Sequence, residues 1–243
     1  MPPSAMLHVR CLGAFAFRSD GGWNYGPSFK RGRELLQYLA TYPRAAASRE
    51  TLAEAFWPEL DADAVRHRVH LAVAGARAAL RAVVPAVDAI CCNGGSYAWH
   101  PGLSVDTDYA EFFACDREGT TDALRRGIGL YSGEYCAGES AEWMHPMRVR
   151  ASSMYVSMLE RLAADAVAHC DNAAALEFGL QLVEADRGHE GATRLVMRAL
   201  AALGRRAAAV AEYDALTRWL RRHLNVTPSR ATAALREEIA SGG

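Results

Sequence analysis

Alternating apolar and polar residues open the chain and predict short β-strands. Met6–Leu12 alternates, and Ala14–Phe17 continues the pattern after Gly13. The run Asp20-Gly21-Gly22 is typical of a turn, and a further short strand is expected at Trp23–Tyr25. The chain is therefore expected to begin with a small sheet.

Three helical patterns and a hairpin follow these strands. Apolar residues recur at helical spacing in Arg33–Thr41, Ser48 is typical of the N-cap of a short helix that ends at Phe56, and Asp61–Val84 is predicted to be one long helix. Two short β-like segments flank Asn93-Gly94-Gly95-Ser96, which is a strong hairpin signal. Strands, three helices and a hairpin are the order of a winged helix-turn-helix.

After Asp106 the pattern is almost continuously helical. Seven helices are expected, at Asp108–Asp116, Thr121–Tyr131, Ala141–His169, Asn172–Glu184, Glu190–Leu203, Arg206–His223 and Ser229–Ala240. Ala174-Ala175-Leu176 recurs as Ala208-Ala209-Val210 after 34 residues, the tetratricopeptide period, although chance similarity is an alternative in so alanine-rich a chain. The predicted fold is mainly α with small β: an N-terminal winged helix-turn-helix (residues 1–105) followed by an all-α tetratricopeptide-like domain (residues 106–243).

The long helix has two chemically different faces. Its apolar stripe consists of Val65, Val69, Val73, Ala76 and Leu80. Its polar edge carries Arg66, His67, His70, Arg77 and Arg81, with no acid after Asp63. A solvated surface is one interpretation of this edge. The other is DNA binding, because the third helix of a winged helix enters the major groove, where arginine and histidine contact phosphates or base edges.

The starts of the two preceding helices offer further phosphate contacts. Arg31 and Arg33 lie at the start of the first helix, and Ser48 and Arg49 lie at the start of the second. Exposed amides at a helix N-terminus together with arginine favour phosphate binding. Ordinary surface solubility is the alternative for these residues. The hairpin tip has no arginine and is expected to be mainly structural.

Charge is distributed unevenly, although the net charge is only -1. Residues 1–105 carry 11 Lys and Arg against 8 Asp and Glu, whereas residues 106–243 carry 16 against 20. This modest excess of positive charge in the first part permits nucleic-acid binding. No signal peptide and no run of apolar residues long enough for a membrane span is evident, so a cytoplasmic protein is expected.

Signatures of other kinds of chemistry are sparse. The sequence has neither a G-x-S-x-G motif nor a Walker A run, and Thr193 stands where a zincin with His189-Glu190 would have its second histidine. We therefore expect no enzymatic activity, no cofactor and no metal. A metal site made of His67, His70 and Cys91 or Cys92 is a remote alternative. The six cysteines are expected to be reduced, although a redox role for Cys91-Cys92 stays open.

An ordered series of motifs resembles a known family. The matching stretches are Arg31–Ala40, Ser48–Pro58, Val69–Leu80, Gly95-Ser96-Tyr97, Val105-Asp106, Leu130–Tyr135, Glu142-Trp143, Arg148, Met197–Leu200, Gly204-Arg205, Tyr213 and Val226–Ser229. The first part resembles an OmpR-type winged-helix DNA-binding domain and the second a bacterial transcriptional activator domain. Together they are similar to the Streptomyces antibiotic regulatory protein (SARP) family of transcriptional activators.

The resemblance implies a sequence-specific transcriptional activator. Such a protein would bind direct repeats in promoters as a homodimer on double-stranded DNA, recruit RNA polymerase holoenzyme and regulate a secondary-metabolite gene cluster. A location in the cytoplasm, associated with the nucleoid, follows. Two alternatives remain open at this point: a protein-interaction scaffold with a degenerate winged helix, and a redox- or ligand-responsive regulator.

Overall fold

The computed structural model describes residues 5–242 of the chain. Within this range the strands are β1 (Ala5–Arg10), β2 (Ala16–Arg18), β3 (Ala47–Ser48), β4 (Ile90–Asn93), β5 (Ser96–Trp99) and β6 (Leu103–Thr107). The α-helices of the same residues are α1 (Lys30–Thr41), α2 (Arg49–Phe56), α3 (Ala62–Arg81), α4 (Asp108–Glu118), α5 (Thr121–Leu130), α6 (His145–Ala168), α7 (Asn172–Ala185), α8 (Glu190–Ala202), α9 (Arg206–His223) and α10 (Arg230–Ser241). The expectation of a mainly helical protein with small sheets is confirmed.

The described chain divides into two compact units that interleave in sequence. The first unit contains the residues up to Glu118 together with Gly129–Ser152. The second contains Gly119–Ile128 and the chain from Ser153 onward. Helix α6 therefore begins in the first unit and continues into the second.

The first sheet has the strand order β2-β1-β6. Strand β1 pairs antiparallel with β2 and parallel with β6, where Ala5 lies opposite Leu103. Leu7 and Val9 of β1 are buried, because alternate side chains of a strand point to the same face. The strand expected at Trp23–Tyr25 is reduced to an isolated bridge between Phe17 and Asn24.

The second sheet is built around the predicted hairpin. Its strand order is β3-β5-β4, and β4 pairs antiparallel with β5 so that Asn93 lies opposite Ser96. Gly94 and Gly95 both have positive φ (58° and 86°), the conformation that a two-residue type I′ turn requires and that glycine adopts without steric cost. The glycines of Asn93–Ser96 thus fix the hairpin register.

Helices α1 and α3 approach each other closely at a glycine. A Cβ at Gly32 would lie 3.2 Å from the backbone nitrogen of Ala76 and 3.3 Å from the carbonyl oxygen of Ala72. Leu39 of α1 is buried in the same unit. Its carbonyl accepts a hydrogen bond from the indole nitrogen of Trp99 at 2.9 Å, which connects α1 to the hairpin. These contacts hold α3 in place by its apolar side.

A segment remote in sequence completes the first unit beside the end of β1. Gly13 and Glu134 are hydrogen-bonded through their backbones at 3.0 Å, and Cys136 donates its amide to the carbonyl of Cys11 at 2.7 Å. Cys11 and Cys136 are fully buried, and the hydrogen bond between their side chains, together with burial, raises the pKa of Cys11 well above its usual range. Tyr135, between these backbone pairs, is also fully buried.

The second unit is helical. Consecutive helices from α7 to α10 pack against one another. The carboxylate of Glu190 at the start of α8 accepts hydrogen bonds from the amide and hydroxyl of Ser229 and from the hydroxyl of Thr232, which fixes the start of α10. The core of this unit contains Val196, Met197, Leu200, Ala209, Leu235 and Ile239.

Candidate nucleic-acid interface

Helix α3 buries its valine stripe and exposes its cationic edge. Val65, Val69 and Leu80 are at most 2% exposed. The side chain of Asp61 caps the helix by accepting a hydrogen bond from the amide of Ala64 at 2.9 Å. Packing thus fixes the rotation of the helix about its axis, and the polar edge is left facing solvent.

Four of the predicted residues share that exposed edge. They are Arg66, His67, His70 and Arg81, referred to below as the α3 face. Arg66 has one acidic neighbour, Asp63, at 3.9 Å, and both side chains are strongly exposed. An exposed ion pair of this length contributes little stability, so Arg66 can exchange this partner for a phosphate.

Arg77 is engaged inside the protein. Its Nε and Nη2 atoms donate to the carbonyl of Ile90 at 3.1 and 2.6 Å, and Nε lies 3.3 Å from a carboxylate oxygen of Asp88. The side chain is 28% exposed. The residue therefore joins α3 to the first residue of β4 and sets the position of the hairpin relative to the helix.

The two arginines at the start of α1 also have internal partners. Arg31 forms an ion pair with the buried carboxylate of Glu34 and lies over the ring of Trp57, 5.4 Å from its centroid. Arg33 lies 3.2 Å from a carboxylate oxygen of Glu139. Both guanidinium groups are half-buried, so a phosphate could reach them only by competing with a carboxylate that is already present.

The start of α2 lies beside the hairpin turn. Ser48 is the N-cap, as predicted, and its hydroxyl accepts a hydrogen bond from the amide of Thr51 at 3.1 Å. The guanidinium of Arg49 lies 3.6 Å from the position that a Cβ would take at Gly95. The buried Nε of Arg49 has no hydrogen-bond partner among residues 5–242. Ser48 and Arg49 thus lie together at the hairpin tip.

Arg68 is exposed on α3 as well, although it is absent from the predicted set. At about 100° per residue, Arg68 lies on the margin of the helix opposite Arg66 and His70. The signal that could have found it is the same one that identified Arg66: an arginine next to the valine stripe.

The ring of Trp23 is a second feature that the sequence pattern did not indicate. It lies 5.0 Å from the guanidinium of Arg10 and 4.6 Å from that of Arg18. The two arginines come from neighbouring strands, β1 and β2, whose pairing brings them to the same ring. The sequence around Trp23 does not predict this contact.

The described part of the chain does not bring the residues of the remote metal alternative together, and a redox role for Cys91-Cys92 stays a prediction. Cys91 is half-buried and Cys92 is exposed, and both are free thiols. Between residues 5 and 242 there is no group of three or more His, Cys, Asp or Glu residues that could hold a metal ion.

None of the helices in that range is long and apolar enough to cross a lipid bilayer.

A family model decides what kind of protein this geometry belongs to. Residues 109–240 match the model of the bacterial transcriptional activator domain. The chain belongs to the bacterial transcriptional activator domain family. Membership in this family identifies a transcription regulator and not an enzyme, which confirms the expectation drawn from the missing catalytic motifs.

A solved structure shows how this bacterial transcriptional activator domain protein compares in fold. Mycobacterium tuberculosis EmbR, in complex with a low affinity phosphopeptide, superimposes with a TM-score of 0.71 at 17% sequence identity. The match covers 97% of this chain and 65% of the EmbR chain. At this identity the likeness concerns the fold alone. A comparison with curated proteins finds no match.

Proposed function

We propose that this protein is a sequence-specific, DNA-binding transcriptional activator whose α3 face enters the major groove. The observation that carries the proposal is the α3 face itself, where Arg66, His67, His70 and Arg81 are exposed together above a buried valine stripe. Helices α1–α3 followed by the β4–β5 hairpin support a winged helix-turn-helix in residues 1–105. Residues 106–243 then form the tetratricopeptide-like activator domain.

The proposed site residues have different roles. His67 and His70 read base edges, Arg66 and Arg81 contact phosphates or guanine, and Ser48 and Arg49 hold the backbone beside the hairpin. Arg77 acts as a positioning residue, because it joins α3 to β4 through the carbonyl of Ile90. Arg31 and Arg33 contact phosphate by exchanging their present carboxylate partners.

The partners follow from the family and from the resemblance to SARP activators. The proposal includes binding to promoter direct repeats as a homodimer on double-stranded DNA, recruitment of RNA polymerase holoenzyme and control of a secondary-metabolite gene cluster. The protein would act in the cytoplasm, associated with the nucleoid. Membership in the bacterial transcriptional activator domain family supports the coarser part, regulation of transcription.

One observation favours a second function, that of a protein-interaction scaffold with a degenerate winged helix. Leu71 is 48% exposed on α3, and Ala74 and Ala78 beside it cannot hydrogen-bond to a base. Selection of bound sequences from random duplex DNA separates the two functions. A DNA-binding activator yields an enriched motif, whereas a scaffold yields none, and the second outcome would remove the proposal.

The roles of Arg77 and Arg81 can be separated by measuring DNA affinity and thermal stability together. Arg81→Gln is expected to weaken binding to the selected duplex with an unchanged melting temperature, because Arg81 is exposed. Arg77→Gln is expected to weaken binding to all duplexes and to lower the free energy of unfolding by about 1–3 kcal/mol, because a buried carbonyl loses its donor.

Base preference tests the two histidines. His70→Ala is expected to change the selected sequence at one position, since each good base contact is worth about 1–3 kcal/mol of discrimination. Arg44→Gln is the matched control for the arginine variants, because Arg44 is exposed in the same unit but lies outside the α3 face. If Arg44→Gln weakens binding as much as Arg81→Gln, the effect is one of general charge and the α3 face is not the reading surface.

A further inference from the structure

A basic groove lies in the second unit, on helices α7, α8 and α9. Its volume is about 430 Å³, and it is lined by Val183 near the end of α7, Arg187 between α7 and α8, Thr193 of α8 and one side of α9. All of the lining residues belong to the second unit, so the groove is complete within it. This feature, the α7–α9 groove, is lined by Val183, Arg187, Thr193, Glu212, Ala215, Leu216, Arg218, Trp219, Arg222 and His223.

Three arginines of the groove have no internal partner. Arg187, Arg218 and Arg222 are exposed, and none of them forms a side-chain hydrogen bond or ion pair with another residue in the range 5–242. Glu212 is the only acidic residue among the described residues that line the groove. This differs from the start of α1, where each arginine is already paired with a carboxylate. The groove therefore presents unpaired positive charge.

The rest of the lining combines apolar side chains, among them Trp219 and Leu216, with the polar residues Thr193, Glu212 and His223. The ring of Trp219 stacks on that of His223, with centroids 4.7 Å apart and planes at 21°. Gly188 lets the backbone pass against this ring, since a Cβ there would lie 2.7 Å from Trp219 Cζ3. Leu216 and Thr193 are buried at 3% and 2% exposure. The aromatic wall is thus held on two sides, which limits its motion when a ligand enters.

We propose that the α7–α9 groove binds a short acidic peptide segment of a partner protein. Guanidinium groups bind carboxylates in bidentate, charge-assisted hydrogen bonds, and three of them are available here. The carboxylate of Glu212 accepts hydrogen bonds from backbone amides of the peptide, and an apolar peptide side chain packs on Trp219. A peptide supplies donors, acceptors and apolar groups together, whereas inorganic phosphate has no N–H donor for Glu212 beyond its own hydroxyl and no apolar group for Trp219.

Shape favours a peptide over duplex DNA in this groove. A cavity of about 430 Å³ is the size that a few residues fill, and it is concave. A duplex is a stiff, wide rod whose phosphates contact a convex or flat basic surface, such as an exposed helix edge. The peptide proposal rests on the groove alone and holds whether or not the α3 face binds DNA.

The test measures binding of a fluorescein-labelled peptide, Glu-Glu-Asp-Phe-Glu-Asp-Glu-Glu, by fluorescence anisotropy with the full chain. The uncharged isostere, with Gln and Asn in place of Glu and Asp, is the peptide control. The wild-type chain is expected to bind the acidic peptide and not the isostere. Arg222→Gln is expected to lower the affinity about tenfold, the effect of losing one charge-assisted hydrogen bond.

Arg221→Gln is the matched control variant. Arg221 is exposed in the same last turn of α9 but does not line the groove. Both variants remove one charge near the same helix C-terminus, so equal melting temperatures are expected and folding cannot explain a difference in binding. An affinity within about twofold of the wild type is expected for Arg221→Gln, because no contact to the peptide is lost. An equal loss in both variants would show general charge attraction and overturn the proposal.

Three further outcomes would also overturn it. The first is no binding of the acidic peptide at millimolar concentration. The second is binding of ATP or inorganic phosphate that Arg222→Gln abolishes while the peptide fails to bind, which would make the groove a small-anion site. The third is a loss of duplex DNA affinity in Arg222→Gln that equals its loss of peptide affinity, which would make the groove part of the DNA-binding surface.

Discussion

Asp108, at the start of α4, carries an unusual carboxylate. It accepts hydrogen bonds from the backbone amides of Cys11 at 2.7 Å and Leu12 at 3.0 Å, so it fixes the chain just after β1. Burial raises the pKa of Asp108 to about 6, although these hydrogen bonds and the charge of Arg10 act in the opposite direction. The charged form is therefore less favourable in the fold than in the unfolded chain.

This shift makes a prediction about stability and pH. Between about pH 4 and pH 6 the folded chain keeps the Asp108 proton while the unfolded chain loses it, so this group lowers the free energy of unfolding as pH rises. The contribution is about 2–3 kcal/mol over that window. Asp108→Asn removes the titration, and urea unfolding at several pH values is expected to show a correspondingly smaller fall in stability.

Asp20→Asn is the control for Asp108→Asn, because Asp20 is exposed in the same unit. A carboxamide at position 108 has one acceptor oxygen where the carboxylate has two, so it keeps only one of the two backbone hydrogen bonds. A loss of stability that is uniform across pH is therefore also expected, and only the pH dependence decides. Identical pH profiles for the wild type and Asp108→Asn would contradict the assignment.

The sequence identified the residue types of the candidate site but could not identify their partners. The exposure of Arg66 and Arg81 followed from helical periodicity, because residues spaced three or four apart lie on the same face of a helix. Once the valine stripe is assigned to the core, the positions that face solvent are determined as well. The pairing of Arg33 with Glu139 links positions more than a hundred residues apart, and Arg77 binds a backbone carbonyl. A local sequence pattern does not predict contacts between such distant residues or with a backbone carbonyl.

At the scale of the elements, the crossing of α1 and α3 depends on one position without a side chain. Gly32 faces backbone atoms of Ala72, Gly75 and Ala76 at 3.2–3.3 Å from the site of a Cβ. Backbone atoms of a packed helix cannot rotate away as a side chain can. The two helices would have to separate to admit a methyl group.

Two glycine substitutions are expected to change stability in opposite directions. Gly32→Ala is expected to lower the free energy of unfolding by about 1–3 kcal/mol, the cost of overpacking. Gly129→Ala, near the end of α5, is expected to raise it by about 0.5–1 kcal/mol, because no atom lies within 4 Å of the added Cβ and alanine favours helix. Chemical denaturation measures both changes, and a stabilised Gly32→Ala variant would rule out the close crossing.

Most helices and the hairpin could be predicted, but β6 could not. Helices such as α2 and α9 have periodic apolar positions and clear ends. Helix α3 ends at Arg81, three residues before the predicted end, because the amides of Val83 and Val84 both donate hydrogen bonds to the carbonyl of Leu80. Strand β6 has only five residues and acquires its partner, β1, from the far end of the first unit. A parallel pairing over that separation leaves no local signal.

At the scale of the whole molecule, the net charge of -1 gives DNA no general attraction. If the chain binds a duplex, the attraction must come from local clusters such as the α3 face. Affinity is then expected to fall steeply between about 50 and 200 mM salt, because each phosphate contact releases counterions from the duplex.

The double variant Arg66→Gln, Arg81→Gln is expected to reduce the slope of log affinity against log salt by about 2, one for each lost phosphate contact. Anisotropy titrations at several salt concentrations measure this slope, with Arg44→Gln as the control. A slope that is flat in the wild type, or unchanged in the double variant, would argue against phosphate contacts by these two arginines.

The interleaved units have a consequence for how the protein is made. The end of β1 receives its partners from the segment around Glu134–Cys136, and the first unit is complete only with Ser152. A ribosome delivers the chain in order, so the α3 face, which ends at Arg81, is made about 70 residues before the last residue of its own unit, Ser152. A gene fragment that ends at residue 105 therefore encodes a first unit that lacks Gly129–Ser152, including the segment that pairs with the end of β1.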